Sequence, residues 1–131
     1  MKWIRLASMA CCLTAIATSS SAQQISGNEL LNTCISDNQV MAGFCLGYII
    51  GYSEGAPWGG TLAVIQSNPG LGEDAVNDAV GAITGSCVPS EASNEQLKDV
   101  AIKYLTNNPE TRHTSARTLI WTAYSEAFPC G

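Results

Sequence analysis

Near the C-terminal end of the chain, apolar residues recur at three- and four-residue steps in two runs. The first is Leu97, Val100, Ala101, Tyr104 and Leu105; the second is Ala116, Leu119, Ile120, Ala123, Tyr124, Ala127 and Phe128. Each run puts its apolar residues on one helical face, which predicts two amphipathic helices. Ser93 followed by Gln96 has the form of a capping box for the first, and Asn108-Pro109 offers an N-cap and an N1 proline for the second. The turn between them is then short. At 1.5 Å rise per residue the first helix spans about 20 Å and the second about 30 Å, and the extended segment from Cys87 to Ala92 covers the difference. Cys87 and Cys130 thus arrive at the same end of an antiparallel pair, where they are the best-matched disulfide in the sequence.

Upstream, Ser26-Gly27-Asn28-Glu29-Leu30-Leu31 starts a short helix capped by Ser26 or Asn28 and ending near Cys34. Val40 to Tyr52 is apolar nearly all round, the mark of a buried helix when the run is too short to cross a bilayer. Gly43, Gly47, Gly51 and Gly55 lie four apart along it. Each glycine costs up to about 1 kcal/mol of helix propensity relative to alanine, so packing has to compensate. The stripe fits the central helix of a bundle or, more sharply, a subunit interface. From Glu54 to Gly85 the composition shifts to Gly, Pro, Asn and Ser, and Pro57-Trp58-Gly59-Gly60 and Asn68-Pro69-Gly70 read as turns or loops. Thr61 to Gln66 and Glu73 to Ile83 read as short helical segments between them. Trp58 is either packed under the bundle or exposed on a loop as a contact residue. The expected fold is all-α, a small disulfide-bonded bundle of four to five helices.

The first residues do not belong to that bundle. Lys2 and Arg5, an apolar run from Leu6 to Ala17 and the small residues Ser20-Ser21-Ala22 have the form of a signal peptide over residues 1–22, cleaved after Ala22. Around Cys11 and Cys12 the branched residue that opens a lipobox is missing. The expectation is a secreted protein with a single domain over residues 23–131. Its four cysteines, Cys34, Cys45, Cys87 and Cys130, are an even number in an exported chain and predict disulfides. If Cys87 pairs with Cys130, Cys34 pairs with Cys45. In the mature chain Lys98, Lys103, Arg112 and Arg117 face eleven carboxylates, a formal charge of −7. Nucleic acid and anionic membrane surfaces need a positive footprint, so neither is an expected partner. A basic protein would be steered toward such a chain, although acidity also serves solubility alone.

Catalytic chemistry is thinly represented. His113 is the only histidine, no Gly-x-Ser-x-Gly elbow surrounds a serine, and the cysteines are expected to be oxidised. Placed in the first turns of the second C-terminal helix, His113 reads as a packing or hydrogen-bonding residue. Glu73, Asp74 and Asp78 read as a solvated helix face, and Gly55 to Gly60 lacks the Gly-Lys-Ser/Thr ending of a phosphate loop. No C-x-x-C spacing points to zinc. The reading is of a binding protein, not an enzyme, with no metal or other cofactor.

The order Leu30-Leu31-x-x-Cys34, Cys45-Leu46-Gly47-Tyr48-Ile49-x-Gly51, Cys87-Val88-Pro89, Tyr104-Leu105, Asn108-Pro109-Glu110, Arg112-His113, Ala116 and Phe128-Pro129-Cys130 resembles the Rap/Tai immunity proteins of type VI secretion systems. The resemblance covers most of the mature chain and leaves residues 57–85 unmatched. It implies a small periplasmic helical protein, commonly a homodimer, that blocks the papain-like groove of an injected peptidoglycan amidase. Such an inhibitor needs a protruding element and complementarity around it. The candidates are the turn residues Asn107, Asn108 and Glu110, and the loop residues Glu54 and Trp58. The rival from another class is a periplasmic acid-stress chaperone or other envelope binding protein.

Overall fold

The structure, a computed structural model, describes residues 24–131. The signal-peptide reading of residues 1–22 and the lipobox question at Cys11 and Cys12 lie outside the described residues. Five α-helices follow one another without a strand among the described residues: α1 (Gly27–Cys34), α2 (Gln39–Ser67), α3 (Glu73–Thr84), α4 (Asn94–Asn107) and α5 (Ala116–Ala127). The expected all-α, disulfide-bonded bundle is what the chain forms. No helix among the described residues is long and apolar enough to cross a membrane.

Two apolar clusters organise these helices. The larger unites Leu30 and Leu31 of α1, Cys45 and Ile49 of α2, Leu97, Ala101 and Leu105 of α4, and Ala116, Leu119, Ile120, Ala123 and Tyr124 of α5. The periodic residues of both C-terminal runs are its main contributors, as the three- and four-residue spacing requires. At the far end of α2, a smaller cluster joins Val64 to Val76 and Val80 of α3. Helix α2 therefore runs through both clusters, and at about 1.5 Å per residue its 29 residues extend roughly 43 Å. Its N-terminal half belongs to the core, and its distal half forms a hairpin with α3.

The continuity of α2 corrects the sequence reading, which placed a turn at Pro57-Trp58-Gly59-Gly60 and a separate helix at Thr61 to Gln66. Pro57 lies inside the helix. A proline in a helix interior costs about 3 kcal/mol. Carrying the helix through it brings Gly60 and Val64 against α3, where a Cβ on Gly60 would be in ordinary contact with Val80 Cγ1 at 3.4 Å. Burial in the smaller cluster thus outweighs the local break. The turn expected at Asn68-Pro69-Gly70 does form, with Gly70 at φ 105°.

The start of α5 is a second correction. Instead of beginning at Asn108-Pro109, the helix begins at Ala116, and Asn108 closes α4 with its side-chain amide donating to the Tyr104 carbonyl at 2.8 Å. Residues 109–114 stay in turns, with the Arg112 and Thr114 carbonyls used elsewhere. The N–H groups of Gly27 and Asn28 donate to the Thr114 and Arg112 carbonyls, both at 2.9 Å, and the Ala116 N–H donates to the Ile25 carbonyl at 2.8 Å. Donors left over in the first turn of α1 are thereby satisfied by the turn before α5. An isolated antiparallel bridge between Ser26 and Ser115 marks the junction. With 14 and 12 residues, α4 and α5 are nearly equal in length, so the expected 10 Å mismatch is absent. Capping departs from expectation as well. At α4 only the Ser93 half of the box forms, the Gln96 N–H donating to Ser93 Oγ at 3.2 Å. The complete box is at α1, between Ser26 and Glu29.

Candidate partner-binding surfaces

Both disulfides form in the expected pairing. Cys34 and Cys45 have Cα atoms 5.0 Å apart and tie α1 to α2. Cys87 and Cys130, 43 residues apart in sequence, have Cα atoms 4.9 Å apart, and the Cys87 N–H donates to the Phe128 carbonyl at 2.8 Å. The α3–α4 connection is thus fixed to the end of the chain. Gly81 of α3 lies against this bridge, where a Cβ would sit 3.1 Å from Cys87 Sγ and 3.3 Å from Cys130 Sγ. Gly85 ends α3 in the left-handed conformation at φ 69°, pressed against Ser125 and Trp121 of α5.

The sequence-derived candidates fall in two separate places. Asn107 and Glu110 are exposed at the α4–α5 connection, and Asn108 is half-buried between them. That connection is held in one shape by the Thr111 N–H donating to the Asn108 carbonyl at 3.2 Å, the Thr114 N–H donating to the Thr111 carbonyl at 2.9 Å, and the two bonds to α1. Asn107 and Asn108 also line a shallow groove between α4 and α5 with Tyr104 and Glu126. His113 is exposed in this connection and not in a helix, which corrects its expected position. Helix-dipole reasoning therefore does not apply to it.

Glu54 and Trp58 lie on α2, not on a loop, and both are exposed, Trp58 at 63%. They belong to a face that sequence reasoning did not assemble. Val40, Phe44, Gly47, Gly51, Trp58, Leu62 and Ile65 fall on one side of a 3.6-residue helix, with Glu54 at the border. All are exposed, Val40 to 79%. A Cβ added at Gly43, Gly47, Gly51, Gly55 or Gly59 would meet nothing within 4 Å. The expectation that the glycine stripe lets a neighbouring helix of the same bundle approach is therefore overturned: the stripe faces outward. Period counting through Pro57 would have found this face.

Charge divides the molecule unevenly. Residues 24–97 carry Glu29, Asp37, Glu54, Glu73, Asp74, Asp78, Glu91 and Glu95 without one lysine or arginine, and all four cations of the described chain lie between Lys98 and Arg117. One of them, Lys98, pairs with Glu95 within the first turns of α4. A cationic partner would be drawn toward α1, α2 and α3.

The comparisons with known proteins agree with the resemblance. Neither a curated protein nor a solved structure matches the chain. The family of Rap1a immunity proteins matches over residues 26–130, all five helices and both disulfides included. On that match the chain belongs to the Rap1a immunity protein family.

Proposed function

We propose that this chain is a periplasmic immunity protein that binds and blocks a type VI secreted peptidoglycan amidase. The family match over residues 26–130 is the observation that carries the reading. Two disulfides suit an oxidising compartment. Inhibition asks no catalysis of this chain, only a rigid element that fills a groove and surroundings that fit it. The α4–α5 connection has the required form: Asn107 and Glu110 project from a segment pinned by backbone hydrogen bonds to α1, so little conformational entropy is lost when it docks. In this reading Asn107, Asn108 and Glu110 enter or border the amidase groove.

The outer face of α2, with Trp58 in its distal half and Glu54 at its edge, is assigned to a second copy of the chain. It is apolar, nearly uncharged and uncovered from Val40 to Ile65, with bulky residues at both ends and glycines between. Two copies crossing near Gly47 and Gly51 would bury each other's Phe44 and Trp58 in a self-complementary contact. Sedimentation of the mature chain tests this: a dimer is expected, and Gly51→Leu is expected to dissociate it without loss of helicity.

For the amidase, the direct test is a pull-down of an exported amidase encoded next to this gene by the purified mature chain. Retention of the amidase supports immunity. A periplasmic acid-stress chaperone would instead suppress aggregation of unrelated proteins at about pH 2 to 3, gaining dye-binding apolar surface there. That outcome, with no amidase retained, would contradict the immunity reading.

A further inference from the structure

The two disulfides differ in how far a reagent can reach them. Cys45 is fully buried in the larger core, in the cluster that holds Leu30 and Ile49, and Cys34 is half-buried at its edge. Cys87 and Cys130 are both exposed, as are their neighbours Val88, Pro89 and Pro129. Both also lie outside the helices, Cys87 between α3 and α4 and Cys130 beyond the end of α5. On its inner side this bridge rests on Gly81 of α3, where the missing side chain leaves room for the sulfurs. Neither cysteine belongs to the larger core, which closes through α1, α2, α4 and α5.

A thiolate opens a disulfide by bonding to one sulfur and expelling the other as a thiolate, so access and the ease of leaving both set the rate. At Cys34–Cys45 both routes are poor. Attack at Cys45 needs entry to the core, and attack at Cys34 expels the Cys45 thiolate into apolar surroundings that solvate a charge badly. At Cys87–Cys130 either thiolate is released at the surface. We propose that Cys87–Cys130 is a thiol–disulfide exchange site, opened in the folded chain by a dithiol reductant while Cys34–Cys45 stays closed. The reductant's first thiolate bonds to one sulfur of the pair as the S–S bond breaks and the other cysteine leaves as a thiolate. Its second thiolate then attacks the reductant's own sulfur in that mixed disulfide and releases the second cysteine. The chain gains two electrons and the two protons that the dithiol gives up, and the dithiol ends as a disulfide. The long loop strengthens this bridge in the folded chain relative to the unfolded one, so the difference between the two bridges is one of rate. Opening it frees the α3–α4 connection from the segment after α5, with the Cys87 N–H bond to the Phe128 carbonyl left between them. The core keeps its contacts and its own bridge, and the α4–α5 connection lies at the opposite end of that helix pair. The exchange site thus stands independently of amidase inhibition.

The test is timed reduction of purified residues 23–131, both bridges formed, by dithiothreitol without denaturant, quenched with iodoacetamide and read by peptide mass spectrometry. Alkylation of Cys87 and Cys130 is expected to run about tenfold faster, or more, than that of Cys34 and Cys45. The faster rate should scale with dithiothreitol and ignore urea below the unfolding transition, because the chain need not open. The slower rate should climb with urea, because the core must open first. Once Cys87–Cys130 alone is reduced, helicity should persist, and amide hydrogen exchange should quicken at Cys87 but not at Leu30 or Ile120. The Cys87→Ser/Cys130→Ser variant gives the same two readouts where that reduced form is short-lived. Equal rates for the two bridges, earlier labelling of Cys34 and Cys45, no labelling without denaturant, or a Cys87 rate that rises with urea in step with that of Cys45 would each overturn the proposal.

Discussion

Gly27 lies directly beneath the Leu119 side chain, where any Cβ would collide with Leu119 Cδ1 and sit 3.0 Å from the Arg112 carbonyl oxygen. Leu119 is buried and the Arg112 carbonyl is held by the Asn28 N–H, so neither neighbour can retreat freely. Gly27→Ala should therefore destabilise the chain by about 1–3 kcal/mol, despite alanine's better helix propensity. Gly47→Ala is the counterpart, because its Cβ meets nothing within 4 Å. That substitution should raise stability by up to about 1 kcal/mol in the monomer. Urea unfolding of the two variants at low protein concentration should show shifts of opposite sign.

The two disulfides should differ in what they contribute. Cys87–Cys130 closes a segment of 43 residues and Cys34–Cys45 one of 11. In the chain-entropy view these are worth about 4 and about 3 kcal/mol respectively. Paired replacement with serine should cost more than the second figure at Cys34 and Cys45, because Cys45 is fully buried and a serine there must desolvate a hydroxyl. Denaturation of each double variant, compared with the oxidised parent, measures both. Equal and negligible losses would contradict this assignment.

Stability should fall at alkaline pH through the tyrosines. Burial raises the Tyr124 hydroxyl above its ordinary value, a shift partly offset by the neighbouring Ser53 hydroxyl. It does the same for Tyr52, with Tyr48 adding to the shift, and for Tyr48, where Arg117 opposes it. A group whose pKa is raised on folding contributes stability that is complete below the unfolded pKa, about 10 for tyrosine, and is lost as pH rises through the folded value. Melting temperature should thus be flat from neutral pH to about pH 9.5 and fall beyond it. Tyr124→Phe should shallow that fall and lower stability at pH 7 by about 1 kcal/mol through loss of the bond to Leu97.

At the acid end the sign reverses. Hydrogen bonds from the Ser26 N–H and hydroxyl hold the Glu29 carboxyl below its usual range. Its contribution is present above the unfolded pKa and disappears as pH falls through the folded one. Glu29→Gln should flatten the acid limb of a stability profile while leaving neutral-pH helicity intact. Ser26→Ala should cost about 1 kcal/mol at pH 7 as the cap of α1 is lost.

Much of this architecture is readable from residues. The spacing of Leu97 to Leu105 and of Ala116 to Phe128 specifies the two helices whose faces fill the larger core, and an even count of cysteines in an exported-looking chain specifies two bridges. Two places resisted reading, and both are decided by contacts distant in sequence. Pro57 looks like a break until Val64 finds Val80; Asn108-Pro109 looks like a helix start until Gly27 and Asn28 claim the carbonyls of Thr114 and Arg112. The candidate surfaces follow the same division. The exposed turn at Asn107 and Glu110 is local and legible, whereas the continuous outer face from Val40 to Ile65 emerges only once α2 is known to be unbroken.

In the proposed function the pinned α4–α5 connection plugs an amidase groove. Its most direct measurement is the rate of peptidoglycan cleavage by an exported amidase, sought among the genes beside this one, titrated with purified residues 23–131 and with their Asn107→Lys/Glu110→Lys variant. Stoichiometric inhibition by the parent, weakened at least tenfold in a variant with unchanged melting temperature, is the predicted result. Cleavage that proceeds undiminished with the parent in excess, or inhibition that the double substitution leaves untouched, would contradict it.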